Sequence, residues 1–306
     1  MENLLRRILL YLSVAGWARS IMSRWGVARR VALRFVAGET LDEAVSATKA
    51  LNDRNLLASL DYLGESVKRA EDTQEVVQTY RDLLKRIHEQ NLRASISLKL
   101  THFGLDISED LCQTNLRYVL TDAKQFGIPV TIDMENTPYT DITLKIYRTM
   151  RDEYNFDNVG TVIQAYLRRS EADMQALGAE GAHIRLCKGA YLESPEHAFP
   201  DKADVDANYA KILRQYLQTP GYLCIATHDE KMIEAGEKAI KELKPTRYEF
   251  QMLYGIRSTR QDELAAAGYS VRVYVPFGAA WYPYFMRRLA ERPANVWFFA
   301  RSLFRR

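Results

Sequence analysis

Four charged side chains interrupt otherwise apolar runs: Lys99 in ASISLKL, Asp133 in PVTIDME, Arg185 in GAHIRLC and Arg272 in SVRVYVP. Alternate residues of an extended strand share a face, which groups Ser95 and Ser97 with Lys99, Thr131 and Glu135 with Asp133, Cys187 with Arg185, and Tyr274 with Arg272. Each run therefore predicts one apolar face and one polar face. A charge on a buried face is costly unless it is paired or meets a polar ligand. Two readings follow: an internal salt-bridge network, or a site that receives a polar molecule.

Two further groups add chemistry. Lys188-Gly189 follows directly on the Arg185 run. Glycine permits close backbone approach and a lysine adds charge, which suits a phosphate, although the same pair is common in ordinary turns. Near the other end of the chain, WYPYFMRRLAE carries Tyr282, Tyr284, Arg287 and Arg288. Successive helical residues diverge by about 100°, so Arg287 and Arg288 converge only on a small anion near the helix rim. They read as a carboxylate clamp or as a solvated basic face. No two glycines stand two apart, so there is no GxGxxG fingerprint for a dinucleotide.

The elements that must position these residues repeat regularly. Strand-like runs at 56–63, 94–100, 129–135, 159–166, 181–187, 222–228, 247–253 and 270–276 alternate with charged segments of helical spacing such as EDTQEVVQTYRDLLKRIHEQ. Eight strands alternating with helices predict an α/β protein, a (β/α)8 TIM-like barrel over residues 51–306, preceded by an N-terminal helical arm over residues 1–50. In such barrels the chemistry gathers at the carboxyl ends of the strands, which aims Arg185 at the mouth and starts the loop over it at Lys188.

With 306 residues, 47% of them hydrophobic, the chain can close one large core. A net charge of +3 without a basic run interleaved with aromatics argues against nucleic acid. Three cysteines without CxxC spacing predict a reducing, cytoplasmic setting, and five scattered histidines without HExxH predict no metal site. Residues 1–36 carry seven arginines against the single acid Glu2. Their start imitates a secretory signal, but the apolar run at 8–18 is too short to span a bilayer. It reads as an amphipathic arm, packed on the domain or resting on an anionic membrane surface.

The segments SLKLTHFG, TIDMEN, VIQAYLRR, IRLCKGAYLE, ATHDE, YEFQMLYG, RVYVPFG and YFMRRLAE, in that order, resemble the proline dehydrogenase family over about residues 61–292. IRLCKGAY together with the final Tyr-x-x-Arg-Arg carries most of the specificity. The resemblance implies an FAD enzyme on a distorted (β/α)8 barrel that oxidises L-proline to Δ1-pyrroline-5-carboxylate and passes electrons to a membrane quinone. By motif position it implies Asp133 and Arg185 as catalytic residues, with Arg185 at flavin N5. It assigns Met134, Gln164, Lys188, Gly189, Ala190, Thr227 and His228 to the cofactor. The substrate falls to Lys99, Tyr191, Leu253, Tyr274, Tyr284, Arg287 and Arg288, and Glu65 is implied as the acidic partner of a gating arginine.

The chemistry of proline agrees with such a set, because its carboxylate needs cations and its ring needs apolar or aromatic walls. Asp133 and Lys99 then tune protonation at the amine, with the proton acceptor left open. The chain ends at Arg306, which implies a monofunctional enzyme and a separate pyrroline-5-carboxylate dehydrogenase downstream. Two other classes stay open: a Schiff-base aldolase using Lys99 as nucleophile, and a non-catalytic membrane-surface scaffold. If the arm rests on membrane, deleting residues 1–36 is expected to abolish sedimentation with anionic liposomes. Unchanged sedimentation would reject that contact.

Overall fold

A computed structural model describes Leu9, Tyr11 and residues 33–291; the side chains of Arg287 and of residues 289–291 fall outside that description. Eight parallel strands close into a barrel in the order β1-β2-β3-β4-β5-β6-β7-β8. They are β1 (Leu57–Tyr62), β2 (Ala94–Leu98), β3 (Val130–Ile132), β4 (Val159–Gln164), β5 (His183–Cys187), β6 (Tyr222–Ala226), β7 (Tyr248–Leu253) and β8 (Val271–Phe277). The barrel shuts where β8 lies along β1, from Leu57 opposite Arg272 to Tyr62 opposite Phe277. Every strand-like run read from the sequence forms a strand, and the (β/α)8 expectation is borne out.

A helix follows each strand: α2 (Ala70–Glu89), α3 (Glu109–Phe126), α4 (Thr140–Arg148), α5 (Ser170–Ala179), α6 (Lys202–Tyr216), α7 (Glu230–Leu243), α8 (Ser258–Ala266) and α9 (Trp281–Glu291). Their ends follow local chemistry. Ser108 caps α3 by accepting from the Leu111 N–H at 3.4 Å, and Gly127 ends it at φ 68° in the left-handed region. Asp229 caps α7 by accepting from the Lys231 N–H at 3.1 Å. Ahead of the barrel, α1 (Leu41–Asp53) opens on a Thr40/Glu43 capping box and buries Ala44, Val45, Thr48 and Leu51. The division drawn at residue 50 falls inside this helix. Apart from Leu9 and Tyr11, the arm up to residue 32, with its arginines at 6 to 30, lies outside the described residues.

Strand alternation sorts the core. Ile96, Leu98, Val130, Ile132, Ile184, Leu186, Val271 and Val273 are all buried on the helix-facing side, each fully buried side chain contributing about 1.5–3 kcal/mol. Their neighbours in sequence face the barrel axis and are polar, which leaves a lining that must satisfy itself. Tyr80 of α2 bridges the two layers. Its hydroxyl donates to the Ser97 carbonyl at 2.9 Å and accepts from the Tyr62 N–H at 3.3 Å, in full burial. Tyr80→Phe leaves both backbone groups short of a partner, so a loss of about 1–3 kcal/mol is expected in chemical denaturation, with the chain still folding.

Candidate active site

Arg185 lies midway along β5 with each guanidinium nitrogen bound. Nε donates to the Gln251 amide oxygen at 2.5 Å, Nη1 to Asp133 Oδ1 at 2.6 Å, and Nη2 to Ser97 Oγ at 2.8 Å and Ser59 Oγ at 3.4 Å. Tyr274 completes the group: its hydroxyl donates to Asp133 Oδ2 at 2.7 Å and its ring lies 5.2 Å from the Arg185 guanidinium. Lys99, one residue beyond β2, reaches Asp61 at 3.1 Å and Asp133 at 3.6 Å. The cluster occupies the carboxyl half of the barrel, the end at which barrel enzymes place their chemistry.

Beneath it lies a second charged layer. Glu249, near the start of β7, accepts from Arg272 Nε at 2.7 Å and Nη2 at 3.0 Å, from Gln251 Nε2 at 2.6 Å and from the Tyr222 hydroxyl at 3.3 Å. Arg272 also donates to the Ala58 carbonyl at 3.0 Å and Ser95 Oγ at 3.2 Å. Arg272, grouped by strand face with the other three charges, therefore lies apart from them. It is the second residue of β8, so alternation turns it inward at the opposite end, where Glu249 neutralises it.

Electrostatics separates the roles these groups can take. Burial works against the Lys99 ammonium, but the charges of Asp61 and then Asp133 outweigh it, with smaller help from Tyr191 and Glu65, and its pKa is raised. A Schiff-base lysine needs the opposite shift. Burial pushes the Tyr274 phenol well up, reinforced by Asp133, so it stays a hydrogen-bond donor. Burial, then the nearby Lys99 charge, pushes His102 down to about 4 and keeps it neutral near pH 7.

Loops over the mouth are tied to one another. Glu193 accepts from the Thr137 N–H at 2.7 Å and the Tyr166 hydroxyl at 3.5 Å, joining the loop after β5 to the loop after β3. Lys188 pairs with Asp206 and Asp229, and Lys202 joins the same two carboxylates. Gln164 donates to the Glu135 carbonyl at 2.9 Å, which leaves its amide oxygen to accept from a ligand.

Comparison with known proteins decides the family. The family model described as proline dehydrogenase matches residues 44–301. Proline dehydrogenase 1 of Bacillus subtilis is 42% identical over 305 residues, covering 99% of this chain and 100% of the relative. The chain belongs to the proline dehydrogenase family. Proline dehydrogenase of Deinococcus radiodurans is 40% identical over 278 residues, covering 89% of this chain and 90% of its own length. Among solved structures, proline utilization A from Bdellovibrio bacteriovorus, described as inactivated by N-propargylglycine, superposes with a TM-score of 0.82 at 24% identity, over 96% of this chain and 37% of that one. That likeness bears on the fold alone. The resemblance drawn from the motifs is borne out, and with it the assignment to an oxidoreductase family.

Within this proline dehydrogenase fold, Lys99, Asp133, Arg185 and Tyr274 come together as one bonded cluster. Tyr191 and Glu65 lie near enough for their charges to act on Lys99. Met134 and Gln164 are buried beside Asp133 and Glu135. His228 accepts from the Leu253 N–H at 3.0 Å, and Thr227 accepts from the Asp229 N–H at 3.1 Å, so both brace backbone. On α9, the Arg288 guanidinium lies 5.2 Å from the Tyr284 ring, with Tyr284 and Tyr282 buried; the Arg287 side chain lies outside the described residues. Ala190 is half-buried next to Gly189.

One local reading changes. Gly189 has φ +108°, and a side chain there would run into the Tyr166 ring. Packing against Tyr166 therefore accounts for the glycine without a phosphate. Glu193, on the loop after β5, latches that loop to the one after β3. Asp61, Ser59 and Gln251 were missed as site residues. The signal was available, since alternation on β1 and β7 puts Ser59 with Asp61 and Glu249 with Gln251 on one face, as it does Ser97 with Lys99.

Glu135 yields a pH test. Burial pushes its carboxyl up to about 7, more than the hydrogen bonds from Thr101 Oγ1 at 2.8 Å and Thr101 N–H at 3.2 Å pull it down. Between its ordinary value near 4.5 and about 7 the folded chain holds a proton that the unfolded chain has lost. Stability therefore falls as pH rises through that window. Glu135→Gln is expected to flatten this part of the stability profile, measured by urea denaturation at pH 5, 6 and 7; an unchanged slope would reject the assignment.

Proposed function

We propose that this protein is an FAD-dependent L-proline dehydrogenase that forms Δ1-pyrroline-5-carboxylate and delivers the electrons to a quinone. The observation that carries the reading is the buried Arg185, fixed by Asp133, Gln251 and Ser97 below the loops of a barrel whose sequence belongs to this family. When bound, the flavin supplies the hydride acceptor. The residues present suit such a group: a fixed guanidinium for its electron-rich edge, the Gln164 amide oxygen as an acceptor, and Met134, Leu253 and Tyr274 as apolar surface. Lys188, Gly189, Ala190, Thr227 and His228 stand on the adjoining loops after β5 and β6, the proposed path of the remaining cofactor.

In this reading Arg288, with Arg287, holds the proline carboxylate, and Tyr284, Tyr191 and Leu253 wall the ring. Lys99 keeps its proton because Asp61 and Asp133 surround it. It therefore orients the substrate as an ammonium, a state that suits neither an acceptor of the amine proton nor an aldolase nucleophile. Glu65, whose charge reaches Lys99, is the proposed gate partner. The barrel between Leu57 and Phe277 is the proposed catalytic unit, and the N-terminal arm is the proposed membrane contact for meeting the quinone. Among the described residues no helix is long and apolar enough to cross a membrane. A cytoplasmic setting and a separate pyrroline-5-carboxylate dehydrogenase that takes the product belong to the same proposal.

Steady-state kinetics with L-proline and a soluble quinone test the assignments. Arg287→Ala and Arg288→Ala each remove a charged hydrogen bond of about 1.5–3 kcal/mol, so KM for proline is expected to rise roughly 10- to 100-fold with kcat little changed. Arg185→Ala is expected to impair flavin reduction or retention instead. Normal proline saturation in both clamp variants would overturn the clamp.

A further inference from the structure

Arg185 is a long side chain at the middle of β5, and three nitrogens are held by four different strands or their extensions. Asp133 lies just beyond β3 and Ser97 and Ser59 on β2 and β1 contribute hydroxyls, while the Nε contact comes from Gln251 on β7. That last contact depends on which way the Gln251 amide points. An amide can present oxygen or nitrogen almost isosterically, and only the oxygen can accept from a guanidinium. The choice is made one layer down. Gln251 Nε2 donates to Glu249 Oε1 at 2.6 Å, so the oxygen is the atom turned to Arg185.

Glu249 can hold the amide only if it stays charged and immobile. Arg272 meets both its oxygens at 2.7 and 3.0 Å and is itself tied to the Ala58 carbonyl and Ser95. The pair is almost fully enclosed, with Glu249 1% exposed. Such a pair gives little net stability over an apolar filling of the same volume, so folding alone gives little reason for it. What it adds is direction, because a relay of charge-assisted hydrogen bonds runs from Arg272 through Glu249 and Gln251 to Arg185.

Resting on the flavin reading above, we infer that Glu249, Gln251 and Arg272 are positioning residues that set the plane of the Arg185 guanidinium from the closed end of the barrel. They touch neither substrate nor cofactor in this role. A guanidinium misplaced by a fraction of an ångström stabilises the electron-rich reduced ring less well, while proline binding at α9 is untouched.

The test is Gln251→Met in the flavin-loaded full chain, which keeps volume, leaves Glu249 with Arg272, and leaves Arg185 with Asp133. Expected are a fall in kcat of about tenfold, the loss of one charge-assisted hydrogen bond, a KM for proline within about twofold, a midpoint potential moved to more negative values and an altered visible spectrum. Glu249→Met with Arg272→Met, which removes the buried pair without stranding a charge, is expected to move all of these in the same direction, and it carries the test should Gln251→Met not fold. A yellow, folded variant with wild-type kcat, potential and spectrum overturns the relay alone. A wild-type protein that takes up no flavin overturns the flavin reading and the relay with it.

Discussion

A closed barrel interior admits no water-filled refuge for an unpaired charge, and that constraint orders the whole site. Lys99, Arg185 and Arg272 face the axis along with Asp61, Asp133 and Glu249, so the formal charges cancel within the barrel. Each cation has an acid within 3.6 Å. Isolated burial of any one would cost several kcal/mol, and cancellation is what lets a β-barrel keep strong cations close to a reaction centre. The salt-bridge network and a ligand site, separate alternatives when only strand alternation is considered, are compatible, because the side chains that form the first would also line the second.

The layering gives that arrangement a direction. The floor, Glu249 with Arg272, is tightly enclosed and linked to backbone; the upper cluster ends in Lys99, Asp133 and Tyr274 under the loops. Rigid strands hold the lower groups, and cross-linked loops cover the upper ones, through Glu193 to Thr137 and Lys188 to Asp206 and Asp229. Chemistry placed at such a boundary gains fixed dipoles from below and ligand access from above.

Much of this was legible before any coordinates. The strand count follows from the repeat of apolar runs, and Lys99, Asp133 and Arg185 were found by alternation because their neighbours are plainly apolar. Asp61 and Gln251 are legible by the same alternation, but each strand carries more than one polar residue on that face, and alternation does not say which of them reaches the cluster. The depth of Arg272 is not encoded by alternation, which gives the face of a residue and not its height along the axis. The pairings of Glu193 with Thr137 and Lys188 with Asp206 join loops and helices far apart in sequence, and no local periodicity encodes them. Gly189 carried a true signal of close approach, but the approaching group is Tyr166.

The central claim is that this neutralised cluster of cations serves a flavin on one side and proline on the other. Its most direct test is the visible spectrum of the purified full-length protein, recorded under anaerobic conditions before and after L-proline. The account predicts flavin absorption near 450 nm, on the order of one flavin per chain, that bleaches when proline is added. A chain that stays colourless after incubation with FAD, or a flavin band that proline leaves unchanged, would contradict it.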